Sequence, residues 1–151
     1  MSEQLNFEHE LREYIKEGKR VISSLSEEFK KIEFIANQLY FTYESQNKIL
    51  LAGNGGSCAD AEHFAGELVC TFRDRKRLPL GAISLANNSS ALTAWSNDFE
   101  FESFFERQVL ALGIENDILF LFTTGGGDLK SGASLNLVAA AKRAKQKKLK
   151  I

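Results

Sequence analysis

Two short apolar runs, each followed directly by a glycine-rich turn, constrain the fold of this chain more than any other feature. The first run, Lys48–Ala52, meets the turn Gly53-Asn-Gly-Gly56, and the second, Asp117–Phe122, is followed by Thr123-Thr-Gly-Gly-Gly127. An apolar run of this length that stops at a tight turn is typical of a buried strand. A further strand is predicted at Leu80–Leu85, directly after the only proline.

Segments with helical spacing of apolar residues lie between and after these strands. The helices are predicted at residues 57–72, 89–96, 102–112 and 134–147. Strands that alternate with helices along the chain predict an α/β fold with a doubly wound parallel sheet. Neither a repeat nor a linker divides the chain, and its 151 residues suffice for one domain with a core.

A long amphipathic segment precedes the first strand. Residues 7–43 contain one glycine and no proline, and their apolar positions recur in steps of three or four. Ser23, Ser24 and Ser26, just before Glu27 and Glu28, indicate a helix N-cap and therefore two helices. We expect these helices to occupy residues 1–46 and the α/β core residues 47–151. The apolar stripe packs either against another subunit or within the same domain, and its spacing favours neither alternative.

Charge and cysteine usage exclude several classes of protein. The acidic N-terminus has no apolar stretch of the kind found in secretory signals. Every apolar run is far shorter than the ~18 residues of a membrane span. These two features predict a cytoplasmic protein without a membrane segment. Cys58 and Cys70 lack metal-site or CxxC spacing, so we expect buried or half-buried free thiols.

The basic residues are concentrated at the end of the chain. The net charge is −1, yet six of the 19 Lys and Arg residues fall in the last ten positions. We do not expect a nucleic-acid-coating protein, because the rest of the chain is acidic. Cations near a helix C-terminus are the favoured explanation, and a nucleic-acid patch at Lys142–Lys150 is the alternative.

The two glycine turns predict a binding crevice. Loops at the carboxyl ends of neighbouring parallel strands line one crevice, and helix N-termini favour anions. Asn54 and Ser57 add an amide and a hydroxyl, and Thr123 and Thr124 add two hydroxyls. The first turn is neither a dinucleotide fingerprint nor a Walker A loop, because Cys58 replaces the third glycine and no Gly-Lys-Ser/Thr follows. A phosphorylated small molecule is predicted here; plain turn chemistry is the alternative.

Two further pairs carry possible chemistry. His63 and Glu67 lie four residues apart, hence on one helix face, which suits two metal ligands, a base beside an imidazole, or a surface pair. Asn97-Asp98 ends a helical stretch and either forms a turn or binds substrate hydroxyls above the crevice. Trp95 and the many phenylalanines are expected in the core.

Taken together, several motifs resemble the phosphoheptose isomerase family, a branch of the sugar isomerase (SIS) domain proteins. They are Ala52-Gly-Asn-Gly-Gly-Ser57, Asp60-Ala-Glu-His-Phe-Ala-Gly-Glu-Leu68, Ser90-Ala-Leu-Thr-Ala94 with Asn97-Asp98, Arg107-Gln-Val109 and Ala111-Leu-Gly113. The resemblance implies a SIS-type, flavodoxin-like fold and a homotetramer with zinc. It also implies interconversion of sedoheptulose 7-phosphate and D-glycero-D-manno-heptose 7-phosphate, for the activated heptose of lipopolysaccharide or capsule.

The same resemblance implies roles for individual residues. Glu67 would be the catalytic acid–base, and His63 and Glu67 would be zinc ligands. The substrate would contact residues of both glycine turns and of the two helices, namely Asn54, Gly55, Gly56, Ser57, Glu67, Asn97, Asp98, Thr123, Thr124, Gly125 and Ser131.

Two departures from the family pattern stand out. The turn after the second apolar run is three residues longer than the corresponding phosphate-binding loop of the family, and Gly125 stands where the family has a hydroxyl. Asp128 would repel a phosphate unless Lys130 offsets its charge. The family continues beyond the position of Ile151 into a strand and a helix that carries a Gln and a His. We therefore expect half of the catalytic set and little or no isomerase activity from these 151 residues.

The alternative function is that of a non-catalytic SIS-domain protein that binds a phosphosugar or associates with a replication initiator. The relatives that bind the bacterial replication initiator lack the helix carboxylate. The presence of Glu67 favours the enzyme.

Overall fold

The order of helices and strands follows the predicted alternation. The computed structural model describes residues 7–71 and 73–151. Its elements are α1 (Phe7–Ser24), α2 (Phe29–Glu44), β1 (Ile49–Gly53), α3 (Gly56–Val69), β2 (Ala82–Ser84), α4 (Ser89–Asp98), α5 (Phe104–Leu112), β3 (Ile118–Phe122) and α6 (Leu135–Gln146), with 3₁₀ turns at Leu25–Glu28 and Phe101–Ser103.

Two sequence predictions fall partly outside the described residues. Residues 1–6 belong to the acidic N-terminus on which the cytoplasmic prediction depends, and Phe72 is the predicted end of the helix after the first glycine turn. Among the residues that are described, no helix is long and apolar enough to cross a membrane. The described residues form two compact units, which divide between Gln38 and Leu39.

The three strands form one parallel sheet in the order β2-β1-β3. In the register, Ile49 lies opposite Ala82 of β2 and Ile118 of β3. After α6 the alternation continues, because Lys150 forms a parallel bridge with Ile118. The predicted parallel α/β sheet is therefore confirmed.

Alternating side chains of the strands build two hydrophobic clusters, one on each face of the sheet. Leu50, Ala52 and Leu119 pack with residues of α5 and α6. Ile49 and Leu51 pack on the opposite face with residues of α3. All five residues of β1 are buried, which is typical of a central strand covered by helices on both sides.

The predicted N-cap between the first two helices is wrong. Ser24 has right-handed helical backbone angles, whereas a capping residue needs an extended backbone. Its hydroxyl instead donates a hydrogen bond to the carbonyl of Val21 at 2.8 Å, and Ser26 donates in the same way to Ser23 at 2.9 Å. Two helices are present, but a 3₁₀ turn joins them rather than a capped break.

The aromatic and cysteine predictions hold in part. Phe104 and Phe105 are buried, and Trp95 packs against their cluster while its indole N–H donates to the Ser103 hydroxyl at 2.8 Å. Six other phenylalanines are exposed because they lie outside the two clusters: Phe7, Phe29, Phe34, Phe41, Phe99 and Phe101. Both thiols are free; Cys58 is half-buried, but Cys70 is exposed because it follows the last residue of α3.

A buried carboxylate joins the amino ends of β1 and β3. Asp117 has no exposed side-chain surface and forms a 2.6 Å ion pair with the Lys48 ammonium. It also accepts hydrogen bonds from the backbone N–H of Lys48 and of Ile114 and from the Asn47 amide, at 2.9 to 3.2 Å. Burial raises the pKa of Asp117, but these hydrogen bonds lower it more, so the net pKa lies below the usual aspartate value. The ionised form is therefore the one that the fold stabilises.

We expect Asp117→Asn to lower the free energy of unfolding by about 2–4 kcal/mol, because it removes a buried, fully hydrogen-bonded charge. A depressed pKa contributes stability above the unfolded pKa of about 3.9, and this contribution is lost as the pH falls through the folded value. Urea unfolding between pH 3 and pH 7 measures both effects.

The control for this variant is Glu115→Gln, because Glu115 forms an exposed pair with Lys148. We expect it to change stability by less than about 0.5 kcal/mol. Equal effects of the two substitutions would contradict a special role for Asp117.

Candidate functional site

The carboxyl ends of β1 and β3 lie side by side, because Gly53 is paired with Phe122 in the parallel register. The loops that follow them therefore leave the same edge of the sheet. We call Gly53–Ser57 the first loop and Thr123–Ser134 the second loop. The structure thus brings together the two glycine-rich loops that the sequence singled out, as a parallel sheet requires.

The first loop is a tight turn that only glycine can form at its start. A Cβ atom on Gly53 would lie 2.3 Å from the carbonyl oxygen of Ser57. Gly55 has a positive φ of 56°, and its carbonyl accepts the N–H groups of Cys58 and Ala59. This turn leads the chain directly from the buried strand into α3, and Ser57 lies in the first turn of that helix.

Asn54 of the first loop is paired with a residue that the sequence analysis missed. Its Nδ2 donates to Oδ1 of Asn136 at 3.0 Å, and Nδ2 of Asn136 donates to Oδ1 of Asn54 at 2.7 Å. Asn136 lies in the first turn of α6 and is 2% exposed. The signal in the sequence was a single asparagine within the apolar run of residues 135–141, where a polar side chain is expected to need a partner.

His63 and Glu67 share one exposed face of α3. Nε2 of His63 lies 3.5 Å from Oε1 of Glu67, and the two side chains are 81% and 52% exposed. The predicted pairing of these residues on one helix face is present in the structure. Across residues 7–71 and 73–151, no three His, Cys, Asp or Glu side chains are grouped closely enough to hold a metal ion.

The carboxyl end of α3 is held by an arginine that the sequence analysis also missed. The Arg77 guanidinium donates to the backbone carbonyls of Glu67 at 2.8 Å and of Leu68 at 3.1 Å. Carbonyls of the last helical turn lack partners within the helix, and a nearby cation stabilises them. Near the start of the same helix, burial and then the charge of Glu62 raise the pKa of the Cys58 thiol.

The second loop is stabilised by its own polar groups. The Thr123 hydroxyl donates to the carbonyl of Gly126 at 3.3 Å. The Asp128 carboxylate accepts the backbone N–H groups of Lys130 at 2.9 Å and of Ser131 at 3.2 Å, which lowers the pKa of Asp128. The backbone of Lys130, rather than its ammonium, thus neutralises part of this charge. Thr124 and Ser131 are exposed on the loop surface.

Asn97 and Asp98 end α4, as predicted, and the amide of Asn97 donates to the Asp98 carboxylate at 2.8 Å. Asp98 lines a cavity of about 370 Å³ between α4 and α5, together with Trp95 and Arg107. The Arg107 guanidinium lies 5.1 Å from the centre of the Trp95 ring. Within the part of the chain that is described, no hydrogen bond links Asn97 or Asp98 to either glycine loop, so their contact with substrate stays a prediction.

The basic residues at the end of the chain have partners within the protein. Arg143 forms a 2.6 Å ion pair with Glu106 of α5, and the Lys147 ammonium donates to the carbonyl of Leu110 at 2.7 Å. Lys142 and Lys145 instead line a cavity of about 320 Å³ with Thr123 of the second loop. The cluster therefore joins α6 to α5 and places positive charge beside that loop, and these contacts support the structural explanation.

Comparison with known protein families identifies the domain. The sequence profile described as "SIS domain" matches residues 13–151. The chain belongs to the SIS domain family. This match includes both glycine loops and the helix that carries His63 and Glu67, and it agrees with the resemblance noted from the motifs.

Individual relatives of this SIS domain are phosphoheptose isomerases. The one from Helicobacter pylori (strain ATCC 700392 / 26695) is 47% identical over 109 residues, which cover 72% of this chain and 53% of the relative. The one from Burkholderia pseudomallei is 41% identical over 137 residues, covering 88% of this chain and 66% of the relative. The SIS domain chain thus spans about half to two thirds of the length of these relatives.

Solved structures agree with the sequence comparison. A phosphoheptose isomerase from Neisseria gonorrhoeae superposes with a TM-score of 0.80 at 31% identity, covering 95% of this chain and 72% of that one. The enzyme from Francisella tularensis gives a TM-score of 0.72 at 30% identity, with coverage of 91% and 72%.

We expect Gly53→Ala to destabilise the SIS domain by about 1–3 kcal/mol and to weaken ligand binding at the first loop, because the added methyl meets backbone atoms. The matched control is Gly66→Ala in α3, where no atom beyond the backbone of the helix itself and the neighbouring residues lies within 4 Å of the new Cβ. That variant should gain about 0.5–1 kcal/mol, since alanine is favoured over glycine inside a helix. Thermal unfolding measures the stability of both variants. A Gly53→Ala variant as stable as the unsubstituted chain would contradict the tight turn.

Proposed function

We propose that this chain carries the proton-transfer part of a phosphoheptose isomerase site, for the interconversion of sedoheptulose 7-phosphate and D-glycero-D-manno-heptose 7-phosphate. The observation that carries the proposal is the exposed His63–Glu67 pair on α3, the helix that begins at the first loop. The names of the relatives and of the superposed structures support the same reaction.

The chemistry requires a base that moves one proton between two adjacent carbons. In an aldose–ketose exchange, a carboxylate removes the proton from one carbon, an enediol forms, and the proton returns to the neighbouring carbon. We assign this role to Glu67, whose side chain is half exposed and therefore reachable by a substrate. The Arg77 contact with its backbone carbonyl fixes the helical turn from which Glu67 projects.

The two loops bind the substrate in this proposal. The Asn54 amide and the backbone of Gly55 and Gly56 contact the sugar, as do Asn97 and Asp98. Ser57 lies at the phosphate end with the hydroxyl and backbone donors of the second loop, namely Thr123, Thr124, Gly125 and Ser131. Lys142 and Lys145, which line the cavity beside Thr123, add positive charge near that phosphate.

We propose zinc as the metal that His63 and Glu67 bind. An imidazole nitrogen and a carboxylate oxygen 3.5 Å apart match two of the four ligands that zinc usually takes, and the described residues offer no third one beside them. The remaining ligands would therefore come from outside this set. Bound zinc would polarise the substrate carbonyl and stabilise the developing oxyanion.

The product of this reaction would supply activated heptose for lipopolysaccharide or capsule.

We propose that the protein is a cytoplasmic homotetramer. The exposed apolar side chains of α1 support self-association. This helix has no buried residue, and Phe7 and Tyr14 are 72% and 79% exposed. Such apolar surface is typical of a face that another chain covers.

We expect Glu67→Gln to slow exchange of the C1 protons of sedoheptulose 7-phosphate with deuterated solvent by about 10²–10⁴-fold, because a positioned base contributes that much. Exchange reports proton removal even where net conversion needs further groups, and proton NMR follows it together with conversion to the aldose. The control is Glu62→Gln, at an exposed position of the same helix, and it should leave the exchange rate unchanged. Equal rates for Glu67→Gln and the unsubstituted chain would refute the base assignment.

We expect His63→Ala to lower the bound zinc per chain, measured by mass spectrometry of metal after dialysis against a limiting zinc buffer. The loss of one ligand from a metal site typically weakens binding strongly, since few ligands share the ion. His9→Ala on α1 is the matched control, because it removes the other histidine of the chain. An unchanged zinc content in His63→Ala would give His63 a purely structural role.

A further inference from the structure

The side-chain amides of Asn54 and Asn136 form a closed pair between two parts of the chain that are 82 residues apart in sequence. Asn136 is buried, whereas Asn54 is half-buried in the first loop. The pair connects that loop to the first turn of α6, which directly follows the second loop. It thus links the first loop by hydrogen bonds to the helix that begins where the second loop ends.

A backbone group sets the orientation of this pair. The N–H of Leu137 donates to Oδ1 of Asn136 at 2.9 Å, so this oxygen must face the amino end of α6. The same oxygen accepts from Nδ2 of Asn54, and Nδ2 of Asn136 therefore meets Oδ1 of Asn54. An amide side chain can rotate by half a turn at little steric cost, but here the reversed orientation would place like groups opposite each other. The helix backbone thus determines which end of the Asn54 amide points in which direction.

The pair leaves part of the Asn54 amide available. A primary amide has two N–H donors and an oxygen with two lone pairs, and the contact with Asn136 uses one of each. Among the residues that the structure describes, no other side chain hydrogen-bonds the amide of Asn54. One donor and one acceptor remain, in directions fixed by Asn136, on a half-buried residue of the first loop.

We propose that Asn136 is a positioning residue that holds the Asn54 amide in the orientation needed to bind the sugar. The proposal deepens the isomerase function proposed above and depends on it for the identity of the ligand. Asn136 itself is buried and does not contact the sugar. It acts by removing the rotational freedom of Asn54, so that binding does not have to supply the cost of ordering that side chain.

The test combines binding with a direct measurement on Asn54. Sedoheptulose 7-phosphate is titrated into the full chain by calorimetry, and the two side-chain amide protons of Asn54 are followed by ¹⁵N-edited NMR. We expect Asn136→Ala to weaken binding about tenfold, as for the loss of one oriented hydrogen bond. We also expect the separate signals of the two Asn54 protons to move together, because neither is then held in a fixed hydrogen bond.

The matched control is Leu149→Ala, just after the end of α6. Leu149 is buried in the hydrophobic cluster that packs on α6, and it does not line the cavity shared by Thr123, Lys142 and Lys145. It should lower the melting temperature at least as far as Asn136→Ala, while binding and the Asn54 signals stay unchanged at a temperature where both variants are folded. A purely structural role of Asn136 predicts the same binding loss in both variants, which would overturn the proposal.

Asn136→Asp provides a second variant, in case the alanine variant does not fold. Its carboxylate still accepts from Leu137 and from Nδ2 of Asn54, and a negative charge is favourable in the first turn of a helix. It cannot donate to Oδ1 of Asn54, so one of the two hydrogen bonds of the pair is lost. The Asn54 signals should stay separate but shift, and the variant should bind less tightly than the unsubstituted chain. If the unsubstituted chain does not bind the sugar phosphate, the proposed function fails, whereas the NMR signals alone still decide whether Asn136 orients Asn54. Unchanged Asn54 signals in both variants would overturn the positioning role.

Discussion

The complete burial of β1 is the constraint on which the rest of the α/β core depends. No water reaches this strand, so its backbone groups must be paired with β2 and β3, and its side chains must be covered on both faces. The pairing with β3 then fixes where each neighbouring loop begins. At the amino end, Asp117 joins Lys48 and the Asn47 amide. At the carboxyl end, Asn54 and Asn136 join the first loop to the start of α6. One buried strand with a polar connection at each end therefore places the candidate site.

Local sequence patterns predicted the parts of the fold that local physics determines. The apolar runs before Gly53 and Thr123 indicated β1 and β3 because a buried strand and a tight turn each need specific residue types over a short distance. The i,i+4 spacing of His63 and Glu67 was enough to place both on one helix face, since helix geometry alone decides it. The serine caps failed because Ser24 and Ser26 can donate to a preceding carbonyl as readily as they can cap a helix, and spacing does not distinguish these uses.

What the sequence could not predict depends on contacts between distant residues. The Asn54–Asn136 pair spans 82 positions, and the contact of Asp117 with Lys48 spans 69. Neither has a spacing rule, because the sheet register brings the residues together rather than any local turn. The Arg77 contact with the end of α3 is closer in sequence, but no periodicity of the residues between them indicates it. Polar residues that connect elements are thus the least predictable part of this site and also the part that fixes its geometry.

The exposure of His63 and Glu67 bears on why the chain carries them. An exposed pair at i,i+4 contributes only about 0.3–0.5 kcal/mol to stability, so the pair adds little to the fold. The residues that stabilise α3 are different ones: Ala61 and Ala65 face the sheet, and Arg77 binds the carbonyls at its carboxyl end. His63 and Glu67 occupy the remaining face, beyond a loop whose glycine, Gly53, no other residue can replace without a backbone clash. A stable scaffold that presents an imidazole and a carboxylate to the exterior is an arrangement suited to ligand chemistry, because packing does not require either group there.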